Sequence, residues 1–195
     1  NKYSLIAGMR SISQMVSYEL PVVLSIVGVV LMTGSFQMTK IVETQSIPFI
    51  LLQPLAFVVF FLGSMAEMNR SPFDLLEADS EIVAGLHTEY SGMKFAMFFL
   101  AEFINMFTVS AIAVTLFFGG WRGWDFIPSW LWFLGKTMLV VLLLMLFRWT
   151  YPRLRVDQLM EFAWKILVPI TFANLILAGW MKYARSNRRV LAASN

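Results

Sequence analysis

The sequence contains no cysteine and a single histidine, His87. Without thiols there is no disulfide, no thiolate nucleophile and no cysteine-held cluster. One imidazole does not make a metal site by itself. Charge is also sparse: Asp, Glu, Lys and Arg make up 14% of 195 residues, and the net charge is +3. No basic run interleaved with aromatics is present, so nothing points to nucleic acid. There is no nucleophile–base pair, no metal-ligand spacing, no phosphate-cradling Gly-rich loop and no internal repeat. The chain begins at Asn1 with neither an initiator Met nor a signal peptide, and it reads as a fragment or a processed chain.

Apolar residues fill the space that these absences leave. Hydrophobic side chains are 58% of the total, where a soluble domain is nearer half. The mean hydropathy is +0.70. Counting roughly twenty apolar residues per crossing, the sequence predicts an all-α fold: a polytopic transmembrane helix bundle, one transmembrane domain over residues 1–195. About five membrane helices are expected, at roughly 13–34, 49–68, 92–118, 129–147 and 162–183. A polar exit follows the first and a Gly-Trp turn the third, the latter with an interfacial aromatic belt of Trp121 and Trp124. Loops at about 69–91 (acidic) and 148–161 (basic) complete the reading, with a polar, basic tail.

Loop charges set the orientation. Five crossings put the N-terminus, the acidic loop and the basic loop on one side, with Lys2, Arg10, Arg70, Lys94, Arg148, Arg153, Arg155 and Lys165. The opposite loops carry Lys40 and Arg122, with Lys136 just inside a helix. Both loops are therefore expected to be cytoplasmic. The tail, with Lys182, Arg185, Arg188 and Arg189, runs against this assignment.

Half of the chain's twelve acidic side chains fall between Ala66 and Tyr90: Glu67, Asp74, Glu77, Asp79, Glu81 and Glu89. If the stretch coils after Pro72, then Asp74, Glu77 and Glu81 share one face at i, i+3 and i+7. Like charges at that spacing cost a few tenths of a kcal/mol per pair. Folding gains nothing from that arrangement, whereas a proton or cation path does. Three carboxylates are expected within the bilayer boundary: Glu19, Glu67 and Glu102. Such a group costs a few kcal/mol if charged and marks a functional site by default. Blander readings exist for each. Glu67 fits an ion pair with Arg70, Asp79 and Glu89 fit a solvated face, His87 fits an exposed or structural position, and the arginines after the fourth helix fit topology alone.

The stretch LAFVVFFLGSMAEMNRSPFDLLEADSEIVAGLHTEYSGMKFAMFFLAEFINM resembles the H-subunit family of respiratory complex I, the NADH-quinone oxidoreductase. ISQMVSYELP at Ile12 to Pro21 and YPRLRVDQLMEFAWKILVP at Tyr151 to Pro169 match as well. The family has eight transmembrane helices, and the chain looks like its last five. The resemblance implies a component joining the membrane arm to the peripheral arm, forming part of a quinone access chamber and the start of an acidic path that couples quinone reduction to proton translocation. It implies a proton path through Glu19, Glu67, Asp74, Glu77, Glu81, Glu89 and Glu102. It implies a quinone chamber bordered by Arg70, Phe73, Asp74, Glu77, Asp79, Arg148 and Arg153, with Arg155 beside them. Leu76 stands where many relatives have Pro or Ala, and Asp79 where Glu is frequent; neither change removes a charge.

The resemblance also implies that no cofactor is bound by this chain. Quinone is the substrate, while NADH, FMN and iron–sulfur clusters belong to partner subunits. The partners implied are quinone-site peripheral-arm subunits, small and antiporter-like membrane subunits, and membrane lipid. The location implied is a bacterial cytoplasmic membrane rather than a mitochondrial one. The alternative within the class is the corresponding subunit of a membrane-bound hydrogenase or of a ferredoxin- or F420H2-driven dehydrogenase. From another class, a stand-alone channel or transporter is weighed against the lack of an inverted repeat and of broken helices.

Overall fold

A computed structural model of the chain describes residues 2–45, 47–69, 73, 92–123, 128–152 and 155–193. All the regular structure among them is helical: α1 Lys2–Thr33, α2 Met38–Thr44, α3 Phe49–Leu52, α4 Pro54–Glu67, α5 Met93–Phe117, α6 Ser129–Thr150 and α7 Val156–Phe162. A π-helical turn, Ala163–Leu167, then joins α7 to α8, Val168–Ala193. Four stretches are long and apolar enough to cross a membrane: Gly8–Thr33, Met93–Phe117, Ser129–Thr150 and Gln158–Ala184. The polytopic helix bundle expected from the sequence is the observed architecture.

The second expected crossing is not one continuous helix. It is split at Gln53, whose backbone (φ −134°, ψ 64°) leaves the helical region. Pro54 opens α4 at its first position. A proline there suits a helix start, but it has no N–H for the carbonyl four residues earlier. The expectation that broken helices are lacking is therefore corrected: the apolar run reads through Gln53-Pro54, and the backbone does not. The expected basic loop at 148–161 is also corrected. Helix α6 runs on to Thr150 and α7 begins at Val156, because helical hydrogen bonding does not stop where hydrophobicity does. For the same reason α1 starts well before residue 13.

The helices alternate between two ends of the bundle. The Glu67 end holds the early part of α1, the end of α4, the start of α5, the end of α6 and the start of α7. The Lys136 end holds the remaining termini. α4 lies against α1 antiparallel, and the α7–α8 stretch lies against α1 parallel. The paired positions are Gln14 with Ala66 and Gly28 with Gln53 for the first contact, and Tyr18 with Leu159 and Gly28 with Asn174 for the second. Close approach of α1 and α4 depends on Gly63, where a Cβ would come 2.5 Å from Val22 Cγ2. Small residues at such crossings let helix backbones pack closely where lipid competes for apolar contact.

Aromatic rings tie α4 to the next pair of helices. Phe57 meets Phe117 and Phe118 at 5.5 and 5.3 Å between ring centroids, and Phe61 meets Phe147 at 5.2 Å. Edge-to-face geometry of this kind adds about 0.5–1.5 kcal/mol beyond the buried area. Two apolar clusters result. One at the Glu67 end centres on Tyr18, Met65, Phe73, Met106 and Leu159; the other, toward the Lys136 end, on Val29, Phe49, Phe60, Val114 and Phe117. Much of α5 and α6 remains exposed, including Met93, Leu100, Ile104, Leu142 and Leu146. Such faces suit lipid or neighbouring membrane subunits.

Candidate functional site

The Glu67 end is built around Gln14. Its side chain is 1% exposed and its Nε2 donates to two carbonyls, Ala66 O at 2.7 Å and Phe73 O at 2.8 Å. The first belongs to the last turn of α4; the second lies in the acidic stretch that follows. One amide from α1 thus holds the helix end and the beginning of that stretch together. After α4 the backbone turns at Asn69, with φ 50°. Asn tolerates this left-handed conformation better than most non-glycine residues, and it follows the C-cap as such residues commonly do.

Tyr18 stands one helical turn after Gln14 and is completely buried. Its hydroxyl donates to Leu159 O at 2.9 Å, and its ring lies 5.7 Å from that of Phe73. Beside it, Trp164 Nε1 donates to Ser17 Oγ at 3.3 Å, and Ser17 Oγ donates in turn to Ser13 O at 2.8 Å. The π-helical turn that carries Trp164 places one extra residue in the α7–α8 connection; π-bulges of this kind are frequent at functional sites.

Two of the three expected membrane carboxylates, Glu19 and Glu67, lie at this end. Glu67 is half-buried at the end of α4, and Glu19 directly follows Tyr18 on α1. Glu19 itself is on an open face. Glu102 is half-buried on α5 and has an interaction partner. The pocket between α4, α5 and α6 is lined by Met65, Met68, Phe103, Met106, Leu144, Met145 and Arg148, with about 20 Å³ of room. That holds about one water. Neither Glu67 nor Glu102 lines it, and its wall is thioether and hydrocarbon apart from Arg148. Glu67 and Glu19 thus lie at the same end of the bundle, on α4 and α1, and Glu102 lies on α5.

Phe73 is 3% exposed and Arg148 sits exposed in the last turn of α6. Arg155 is exposed just ahead of α7. Arg70, Asp74, Glu77, Asp79, Glu81, Glu89 and Arg153 lie outside the described residues. Among the described residues no group of three His, Asp or Glu side chains is placed to hold a metal.

Sequence reasoning passed over the polar side chains that fasten the bundle: Gln14, Tyr18, Gln45, Gln53, Lys136 and Asn174. At the Lys136 end the ammonium of Lys136 donates to the carbonyls of Phe118, Gly120 and Arg122 at 2.9, 3.2 and 2.6 Å. Arg122 Nη1 donates to Glu43 O and Gln45 O, and Gln45 Nε2 to Leu116 O at 2.8 Å. Gly120, with φ 54°, packs so closely that a Cβ would lie 2.7 Å from Val42 Cγ2. These are cations closing a helix C-terminus and its turn, where carbonyls gather partial negative charge. A signal was present in one case: a lysine within an apolar helix, one turn after a Gly-Gly turn's return, needs carbonyl partners.

A family model described as NADH dehydrogenase matches residues 1–179. The chain is 57% identical over 180 residues to the H subunit of NADH-quinone oxidoreductase from Dehalococcoides mccartyi, covering 92% of this chain and 51% of that protein. It is 50% identical over 187 residues to the H subunit from Carboxydothermus hydrogenoformans (94% and 53%). With that of Bacillus cytotoxicus it is 50% identical over 186 residues (93% and 56%). The chain spans about half the length of these relatives. A membrane helix bundle that shares this much sequence with them, across the residues that build both ends of the bundle, belongs to the NADH dehydrogenase family of NADH-quinone oxidoreductase H subunits.

Proposed function

We propose that the chain works as a membrane subunit of a proton-pumping NADH-quinone oxidoreductase, in the cytoplasmic membrane of a bacterium. In this reading Glu19 and Glu67 head the carboxylate path, with Glu102 and the acids Asp74, Glu77, Glu81 and Glu89 as its other members. Arg70, Phe73, Asp74, Glu77, Asp79, Arg148 and Arg153 border a chamber that admits quinone. NADH, FMN and iron–sulfur chemistry belong to partner subunits, which include peripheral-arm and antiporter-like proteins.

The observation that carries the reading is half-buried Glu67 beside the Gln14 clamp, with Glu19 five residues after Gln14 on α1. A carboxylate at the edge of an apolar bundle is costly to keep charged and marks a proton-handling site by default. Gln14 ties the turn that bears Glu67 to Phe73 in the acidic stretch. A shift of that stretch when quinone is reduced would therefore reach Glu67 through a backbone contact, and so change where the proton rests. Membership of this family sets aside the stand-alone channel, even though the broken span removes one objection to it.

The test uses Glu19→Gln, Glu67→Gln and Glu102→Gln in the assembled complex. NADH–quinone activity, proton uptake and complex abundance are measured on the same membranes. Assembly should stay intact while both activities fall together, by about a hundredfold or more where the lost group transfers the proton itself. Glu→Asp variants should be milder, because the charge survives. Full activity in Glu67→Gln and Glu102→Gln together would defeat the relay assignment.

A further inference from the structure

A groove opens on the side of the bundle between α2, α5 and α6, at the Lys136 end. It holds about 560 Å³, and Met38, Ala111, Ile112, Trp121, Trp130 and Phe133 give it an apolar wall. Thr108 and Thr115 also border it. Their hydroxyls turn back on their own helix, to Ile104 O at 2.9 Å and Ala111 O at 2.8 Å. Met38 and Trp130 are 47% and 68% exposed, so the groove opens outward. Trp121 follows the turn after α5 and Trp130 lies in the first turn of α6, where a membrane helix meets the headgroup level that tryptophan favours. Each side of the groove also carries a cation. Lys40 is two residues after Met38, Arg122 follows Trp121, and Lys136 is three residues after Phe133. Arg122 and Lys136 donate to backbone carbonyls, and Lys40 is exposed. Among the described residues this end carries Lys40, Arg122, Lys136 and Lys182 against Glu43 alone; Asp125 lies outside them.

We propose that the groove seats an acyl chain of an anionic phospholipid, whose phosphate rests among the cations at its mouth, Lys40 foremost. The apolar wall accepts the chain, and the surplus positive charge selects the headgroup, because anionic lipids attract basic residues at the membrane surface. A neutral phospholipid would fill the wall and leave that charge unanswered. A polar small molecule is orientated in its pocket by a few placed polar groups, and the two threonine hydroxyls that could serve are already committed. A membrane helix is 10–12 Å across, so about one turn of it would take up the whole volume; an acyl chain enters lengthwise. The assignment also gives a role to charge that topology leaves over. Loop charges put the Lys136 end away from the cytoplasm, yet its cations outnumber its described acid. They answer the headgroups of that leaflet. This inference uses the membrane placement of the bundle and does not depend on the proposed proton path.

The experiment uses the purified membrane complex that contains the chain, reconstituted in phosphatidylcholine vesicles. The vesicles carry a trace of one of two photoreactive probes: phosphatidylglycerol with a diazirine in one acyl chain, or phosphatidylcholine with the same chain. After irradiation, mass spectrometry reads the peptides that contain Ile112 and Phe133. The anionic probe should label them about fivefold more than the neutral one, the factor that a single basic residue near an anionic headgroup supplies. Unlabelled phosphatidylglycerol should compete that signal away. Lys40→Glu, at an exposed position that leaves the fold intact, should erase the preference. Ala111→Phe should lower labelling by both probes, since the added ring fills the groove. Equal labelling by the two probes would mean ordinary lipid contact and overturn the proposal, and so would a preference that survives Lys40→Glu. A cryo-EM map of the complex with a protein segment seated between Ile112 and Phe133 would overturn it as well.

Discussion

A glutamine inside an apolar bundle is costly unless its amide finds partners. Gln14, Gln45 and Gln53 solve the problem alike: Nε2 goes to backbone carbonyls of another helix, and Oε1 is left buried without a protein partner. The sequence does not display this, because a lone Gln in an apolar run looks the same whether it faces lipid headgroups, a cavity or a neighbouring backbone. The carboxylates were legible for the opposite reason. A Glu in such a run has few tolerable explanations, and Glu19, Glu67 and Glu102 stood out on chemistry alone. How they lie relative to one another depends on helix rotation, which the sequence leaves open. Gln14→Leu should be the more damaging of two substitutions at this end. Phe73 O and Ala66 O each lose the bond from Gln14 Nε2. The expected loss is about 1–3 kcal/mol. Tyr18→Phe removes one hydroxyl bond to Leu159 O and should cost about 1 kcal/mol. Thermal melting of the purified complex ranks the two, and a larger loss for Tyr18→Phe would show that the clamp is not what holds the end of α4.

Among the elements, α5 and α6 were readable nearly to the residue, since Gly and Pro punctuation flanks long apolar runs: Gly92, Gly119, Gly120 and Pro128 bracket Met93–Phe117 and the start of Ser129–Thr150. The α3–α4 break was hidden by its own apolar neighbours, even though Pro54 was in plain view. The π-helical turn had no signal at all, because a single inserted residue changes hydrogen-bond register without changing composition. The turn after α5 offers a test at this scale. Lys136 holds it through three carbonyls, and its ammonium also lies 5.6 Å from the centre of the Trp132 ring. Lys136→Met keeps the length and deletes the charge. Each charge-assisted bond is worth about 1.5–3 kcal/mol, so the turn should loosen and trypsin should cut after Arg122 faster in vesicles that expose that face. Unchanged cleavage would mean that Arg122's own bonds to Glu43 O and Gln45 O are sufficient.

For the molecule as a whole, the alternation of helices puts Met93 and Phe36 at opposite ends, 80% and 83% exposed. The absence of native cysteine makes sidedness simple to read. A cysteine at Met93 should react with a membrane-impermeant reagent from the cytoplasmic side of sealed vesicles, and one at Phe36 from the other side. Reaction of both from the same side would break the alternation, and reversal of both would invert the orientation drawn from loop charges. The bond from Tyr18 to Leu159 also says something about how the chain is made. Its partners are 141 residues apart, and ribosomes add about 5–20 residues per second. The tyrosine is therefore synthesised roughly seven to thirty seconds before its acceptor. Through that interval α1, joined by α4 partway, carries an unanswered hydroxyl at the level where α7 will later dock. The last polar contact of this end is therefore closed by a helix made late, and a chain ending before residue 159 would carry the Tyr18 hydroxyl without its acceptor.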